Sequence, residues 1–120
     1  MLRDNPMDEA ICKYYFKQIL VALHYIHTQG VAHRNLSLNN ILVDNEFTIK
    51  IADFGLSSQV VENGKFGLST TRVGEIAYMA PEIIEKGAYR PHEADLFAAG
   101  IILFIMRVQR QPFAKATKDD

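Results

Sequence analysis

The stretch from Leu96 to Met106, Leu-Phe-Ala-Ala-Gly-Ile-Ile-Leu-Phe-Ile-Met, constrains the fold of this chain more than any other. It is an uninterrupted run of uncharged residues, but too short to cross a bilayer, which takes about 20 residues of helix. Extended to Glu93 and Arg107, the run has the length of a globular helix, and its apolar positions fall on nearly every side of a 3.6-residue period. Such a helix belongs at the centre of an assembly. A buried helix over residues 93–107 is therefore expected, with exposed apolar surface and a tendency to self-associate wherever its partners are missing.

A second periodic stretch lies near the start. Ile11, Tyr15, Ile19, Leu23 and His27 recur every four residues, flanked by Cys12, Phe16 and Leu20 and widened by Val21, Ala22 and Ile26. This predicts a helix over residues 6–29, buried on more than one face, with Asn5 as its cap, Pro6 in the first helical position, Asp8 at the positive end of the dipole and Gly30 as the stop. His24 and His27 lie on it without a cluster of further ligands, so they read as structural. Ile41–Val43 and Phe47–Ile51, separated by Asp44-Asn45-Glu46, predict a hairpin, and Val31–His33 allows three residues of strand at most. From Asp53 to about Met79, Gly55, Gly64, Gly67 and Gly74 mark a long irregular segment, of the kind that is usually functional in a small domain. Pro81–Lys86 predicts a short helix ended by Gly87, and Tyr89–His92 a connector. The fold class is mainly α with short β-hairpins.

Charge removes some functions from consideration. With 13 Lys+Arg against 14 Asp+Glu, the chain lacks the excess of cations that binds nucleic acid or anionic membrane. One cysteine, Cys12, cannot make a disulfide framework and fits a reducing compartment. No basic-then-apolar leader opens the sequence. An intracellular, cytoplasmic chain with no membrane span is expected.

Chemistry-bearing residues gather in two places. His33-Arg34-Asn35-Leu36-Ser37-Leu38-Asn39-Asn40 runs into the apolar triplet Ile41-Leu42-Val43, and Asp53-Phe54-Gly55 follows Thr48-Ile49-Lys50-Ile51. Asp53 offers a carboxylate and Asn40 a carbonyl oxygen, the hard donors that Mg²⁺ prefers. The alternative is that Asp53 turns the chain and Asn40 caps a strand.

These motifs resemble the C-terminal lobe of eukaryotic protein kinases. His33-Arg34-Asn35-Leu36 through Asn40 is similar to the family's catalytic loop, Asp53-Phe54-Gly55 to its metal-binding motif, and Ala80-Pro81-Glu82 to the end of its activation segment. Asp95-Leu96-Phe97-Ala98-Ala99-Gly100 is similar to the start of its central helix. Four motifs in the right order and spacing are specific, and together they cover almost the whole chain. The resemblance implies a catalytic loop at 33–40, an activation segment at 53–82, and ATP and Mg²⁺ as cofactors in a full-length form. Asn40 and Asp53 would hold the metal, with Leu42 on the nucleotide side. His33 and Phe54 would stack the two motifs together, and Asp95 would accept hydrogen bonds from catalytic-loop amides. Ile102 and Met106 would pack beneath the hydrophobic column on the adenine side. Arg34 would grip a phosphate on the activation segment, with Thr71, Thr70 and Ser69 as candidate acceptors; the alternative is simply a hydroxyl-rich loop. Tyr78 before Met79-Ala80-Pro81-Glu82 points to the serine/threonine branch, and Gln111-Pro112-Phe113-Ala114-Lys115-Ala116 resembles its calmodulin-dependent group. A protein substrate or binding partner is implied.

The pattern fails at three linked positions. The catalytic aspartate is Asn35, the lysine two residues on is Ser37, and the threonine after the activation-segment glycine is Glu75. An amide is not a base, and general-base catalysis typically contributes about 10²–10⁴-fold. Glu75 offers a carboxylate from another loop, but a displaced base loses in-line geometry. The glycine-rich nucleotide loop, its lysine-bearing strand and the glutamate helix do not occur in these 120 residues, so the resemblance implies a partial domain without the N-lobe. The arginine that pairs with Glu82 in the family is also outside it. Three functions remain open: an inactive or nearly inactive kinase fragment, a pseudokinase scaffold or allosteric module, and a truncated product without function.

Overall fold

The computed structural model describes residues 8–59, 61–62, 64–85, 87–112 and 114–117. The predicted cap and first turn at Asn5-Pro6-Met7, Lys86 at the end of the short helix, Phe113 of the last motif, and residues 118–120 lie outside the described residues.

Two long helices carry the core. Helix α1 spans Glu9–Thr28, and its N-cap is Asp8, whose carboxylate accepts from the Ile11 amide at 2.9 Å. Asp8 was expected inside the first turn; as the cap it satisfies one of the amides that a helix start leaves without a partner. At the other end Gly30, with φ of 78°, takes the left-handed conformation that stops the helix, and its N–H donates to the His27 carbonyl at 2.9 Å. The buried stripe of α1 is Cys12, Ile19 and Leu23, with Tyr15, Phe16, Ala22 and Ile26 partly covered. It is narrower than its sequence suggests, since Val21 is 62% exposed. Burial pushes the Cys12 thiol up, with nearby Arg107 opposing.

The apolar run becomes α3, Pro91–Val108, whose Pro91 sits at the start, where its missing N–H costs nothing. The helix begins two residues before the predicted boundary, so Pro91 and His92 belong to its first turn and not to a connector. It ends at Gln109, a non-glycine residue in the left-handed region with φ of 66°. Ala98, Ala99, Ile101, Ile102, Ile105 and Met106 join the α1 stripe in one core, with Leu36, Leu38, Ile41, Ile49 and Tyr78. The helix is not covered all round: Leu96, Gly100 and Phe104 are exposed.

Around these helices, among the described residues, lie three two-stranded antiparallel sheets. Strand β1 (Val31–Ala32) pairs with β4 (Ser58–Gln59), and β5 (Val61–Glu62) with β6 (Lys65–Phe66). The hairpin of β2 (Ile41–Val43) and β3 (Ile49–Ile51) sets Leu42 opposite Lys50. Its second strand is shorter than the sequence predicts. Asp44 Oδ1 accepts from the amides of Glu46 and Thr48 at 2.9 and 3.0 Å, drawing Phe47 and Thr48 into the turn. Gln18 ties the hairpin to α1: its side chain accepts from the Ile49 amide at 2.8 Å and donates to the Phe47 carbonyl at 3.1 Å. The 53–79 segment is less irregular than expected, since it holds β4, β5, β6 and a 3-10 turn at Ile76–Tyr78. Helix α2, Pro81–Ile84, follows it.

Candidate active site

The loop from His33 to Asn40 is suspended from α3 by one side chain. Asp95, 2% exposed, accepts from the backbone amides of His33 at 2.8 Å and Arg34 at 3.0 Å. The ring of His27 on α1 meets the same carboxylate at 2.9 Å. A buried carboxylate is tolerated where donors surround it, and this one ties both long helices to the loop. Arg34 takes φ of 69°, which turns the chain so that consecutive amides reach the two carboxylate oxygens. His27 was read as structural from sequence; its role as a third partner of Asp95 had only its place in the buried period as a signal.

The loop is also braced internally. His33 is fully buried; its Nδ1 accepts from the Asn35 amide at 3.1 Å and its Nε2 pairs with the Ala52 carbonyl at 2.8 Å. Its ring stands edge-on to Phe54, with centroids 4.7 Å apart, so the two motifs are in contact. Asn40 Nδ2 donates to the Asn35 carbonyl at 2.7 Å, and the Asn40 carbonyl accepts from the Ala52 amide at 2.8 Å. Tyr78, which sequence reading did not place here, accepts from the Leu38 amide at 3.3 Å through its hydroxyl. Ser37 is fully buried, and its Oγ has no hydrogen-bond partner among the described residues.

The arrangement fits a magnesium ion by donor chemistry. Asn40 commits its amide nitrogen to Asn35, which leaves Oδ1 as the atom available to a cation. Asp53, at φ of 59°, is exposed, and its carboxylate has a long contact, 3.4 Å, with the Gly55 amide. Two oxygen donors suit Mg²⁺, which keeps waters and substrate phosphates in its shell. No group of three or more His, Cys, Asp or Glu side chains able to hold a metal occurs among the described residues.

The remaining predicted residues lie around this frame. Arg34 Nε donates to the Leu56 carbonyl at 2.8 Å. Ser69 forms an antiparallel bridge with Tyr89, Thr71 donates its amide to Ser69 Oγ at 3.1 Å, and the Tyr89 hydroxyl donates to the Thr71 carbonyl. Thr70 and Thr71 are exposed, as is Glu82 in the first turn of α2. Leu42 is exposed on β2, whereas Ile102 and Met106 are fully buried in α3. Gly74 packs directly on the loop, and Glu75 follows it. These two residues line a small cavity of about 30 Å³ together with Arg34, Asn35, Tyr78 and Asp95, room enough for water. On the other side, an open apolar groove of about 780 Å³ runs between α1 and β3, bordered by Val21, Tyr25, Ile51 and Phe54.

Comparison with known proteins places this geometry in a family. The protein kinase domain family matches residues 1–120. The chain is 40% identical over 114 residues to the serine/threonine-protein kinase CHK1 of Mycosarcoma maydis, an alignment covering 95% of this chain and 17% of that protein. It is 39% identical over 113 residues to CBL-interacting serine/threonine-protein kinase 7 of Arabidopsis thaliana, covering 94% of this chain and 26% of that protein. To CBL-interacting protein kinase 28 of Oryza sativa it is 37% identical, over 89% of this chain and 25% of that protein. This chain therefore belongs to the eukaryotic serine/threonine protein kinase family, and it spans about a quarter or less of the length of these relatives. Family members use ATP and Mg²⁺ and act on protein substrates. No helix among the described residues is long and apolar enough to cross a membrane.

Proposed function

We propose that the chain is the C-terminal-lobe part of a protein kinase domain in which the nucleotide-metal side of the site is kept and the proton-accepting side is lost. Residues 33–40 then form the catalytic loop, 53–82 the activation segment, and α3 the central helix. The observation that carries this reading is Asn35: its loop is held by Asp95, His33 and Asn40, yet at the position of the family's base it presents an amide. The frame for phosphoryl transfer is built around a residue that cannot take the substrate hydroxyl's proton. Ser37 supports the reading, because the family's lysine is replaced by a buried hydroxyl with no cation to offer.

Mg²⁺ at this site would supply the positive charge that phosphoryl transfer needs. Asn40 and Asp53 would hold it, Leu42 would face the nucleotide, and His33 with Phe54 would keep the two motifs in register. Thr71, with Thr70 and Ser69 beside it, is the candidate phosphoacceptor. Arg34 would grip its phosphate through the terminal guanidinium nitrogens, since the bond to the Leu56 carbonyl uses Nε alone. The same substitutions favour a second reading as a pseudokinase scaffold or allosteric module in an intracellular setting, since Asn35, Ser37 and Glu75 alter catalysis and leave the Asp95 anchor in place.

Transfer of radiolabelled phosphate from ATP to a generic protein substrate tests this. Undetectable turnover is expected, and clear turnover that disappears in Asp53→Asn would overturn the reading. In the 120-residue chain, Asn35→Asp is expected to restore nothing, because one wall of a two-lobed site cannot bind ATP productively; strong rescue would contradict the lobe assignment. The intact mass of the native protein decides whether the nucleotide question reopens in a longer form.

A further inference from the structure

Two histidines stand beside the carboxylate that suspends the loop. Asp95 Oδ2 serves two donors at once, the His33 amide at 2.8 Å and His27 Nε2 at 2.9 Å, while Oδ1 takes the Arg34 amide at 3.0 Å. His27 belongs to the last turn of α1. His92 belongs to the first turn of α3, three residues before Asp95, a spacing that puts the two side chains on one side of the helix. The rings of His27 and His92 meet edge to face, their centroids 6.0 Å apart. Two imidazoles and one carboxylate therefore gather where the end of α1, the start of α3 and the loop come together.

This cluster suits an uncharged His92. Burial takes water from its ring, and the start of a helix is the positive end of the dipole, where a cation is unfavourable. The charges that face it are His27 from α1, Arg90 at the cap, and Glu93 and Asp95 on α3 itself. Burial outweighs them and holds the His92 pKa below the usual histidine value; Glu93 and Asp95 act against this, and His27 and Arg90 add to it. A proton on His92 strains the arrangement in two ways. An imidazolium regains water only by leaving the ring of His27, and it draws the Asp95 carboxylate away from the loop amides towards its own helix.

We propose that His92 is a positioning residue for the loop, acting through His27 and Asp95, and that its protonation releases the loop while the two long helices stay folded. The loop is held above about pH 6.5 and let go as pH falls through the lowered native value. Release at Arg34 reaches the metal side through one further residue, since the Asn35 carbonyl accepts from Asn40 Nδ2 at 2.7 Å. The consequence for chemistry rests on the reading of residues 33–40 as a catalytic loop; the release itself does not. His33 is the loop's own imidazole, engaged at both nitrogens by the Asn35 amide and the Ala52 carbonyl. It is retained when residue 92 is replaced, so a variant at 92 separates the two histidines.

Hydrogen exchange read by NMR on the 120-residue chain, from about pH 7.5 to about pH 5, tests the proposal across the range in which histidines titrate. Protection factors of the His33 and Arg34 amides should fall at least about tenfold, while those of the Ile49 amide and of the α3 amides from Ile101 to Met106 hold, the pattern of a local opening. The midpoint of that fall should match the midpoint of the His92 ring protons, a comparison made in the unaltered chain and independent of any variant's folding. His92→Gln should keep the loop amides protected through the whole range. His27→Phe, which keeps a ring against His92 and removes the donor to Asp95, should lower their protection at every pH. Loop amides that lose protection only together with the α3 amides overturn the proposal, as does a His92→Gln chain that titrates like the native one. Unchanged loop protection in His27→Phe above about pH 6.5 overturns the route through His27. No phosphoryl transfer enters these readouts, so their failure and failure of the kinase reading are separate results.

Discussion

Asp95 is accommodated in a position that is 2% exposed because three donors converge on it, two from the loop backbone and one from His27. Hydrogen bonds to a charged group are worth about 1.5–3 kcal/mol each, and removing the acceptor strands buried donors. Asp95→Ala is therefore expected to cost about 3 kcal/mol or more in urea denaturation, with Asp95→Asn costing less because one amide oxygen still accepts. Ser37 gives the opposite result. Its buried Oγ has no partner among the described residues, and an unpaired buried hydroxyl is a penalty, so Ser37→Ala should leave stability unchanged or raise it by about 1 kcal/mol. His92 adds a pH dependence. Burial, more than any neighbouring charge, holds its pKa below the usual histidine value; Glu93 and Asp95 pull it up, and His27 and Arg90 push it down. The unfolded chain therefore takes up this proton at higher pH than the folded one. The resulting stability is fully present above about pH 6.5 and declines as pH falls through the lowered native value. Melting temperature should drop over that window in the native chain, and His92→Gln should lessen the drop.

At the scale of elements, contacts between segments carry the site. Gln18 closes the β2–β3 hairpin onto α1 through two hydrogen bonds to backbone. Gln18→Ala should cost about 1–2 kcal/mol, and hydrogen exchange of the Ile49 amide should quicken more than that of the α3 amides. Gly74 is a second contact point, because its φ of 104° is open to few side chains and an added Cβ would lie 2.6 Å from the Arg34 carbonyl oxygen. That oxygen is backbone of the loop Asp95 holds, so it cannot move aside without loosening the anchor. Gly74→Ala should cost about 1–3 kcal/mol from backbone strain, with the clash in addition, and should broaden NMR signals of His33 to Asn35 more than those of α1. The hairpin turn responds to acid. Its backbone amides from Thr48 and Glu46 hold the Asp44 carboxyl below the usual carboxylate range. This turn is stabilised above about pH 4 and loosens as pH falls through the lowered value.

Across the whole molecule, α3 divides into a face that holds the core and a face that is more exposed among the described residues. Ile102 and Met106 are fully buried against α1, and truncating a buried Ile or Met to Ala costs about 2–5 kcal/mol. Leu96→Ala on the open stripe should change stability by less than about 0.5 kcal/mol. Comparing Ile102→Ala with Leu96→Ala by denaturant midpoint checks this; equal losses would mean that the stripe is covered within the monomer.

Much of this was legible in the chain itself. The apolar run required a central helix, the four-residue period of Ile11 to His27 required a second one, and Gly30 marked its end, because side-chain period and glycine conformation are local properties. The spacing of His33–Asn40, Asp53-Phe54-Gly55, Ala80-Pro81-Glu82 and Asp95 carried the family, and the amide of Asn35 is legible without any coordinates, since it lacks basicity wherever it sits. Other features depended on approach in space. The third donor to Asp95 comes from His27, 68 residues away in sequence, and no local pattern marks the pair. Tyr78 caps the loop, Tyr89 bridges to Ser69, and Asp44 shortens the hairpin through partners that only folding brings near. The exposed stripe around Gly100 was hidden for the same reason: in sequence α3 is apolar nearly all round, and which side stays open is decided by where α1 and the loops pack.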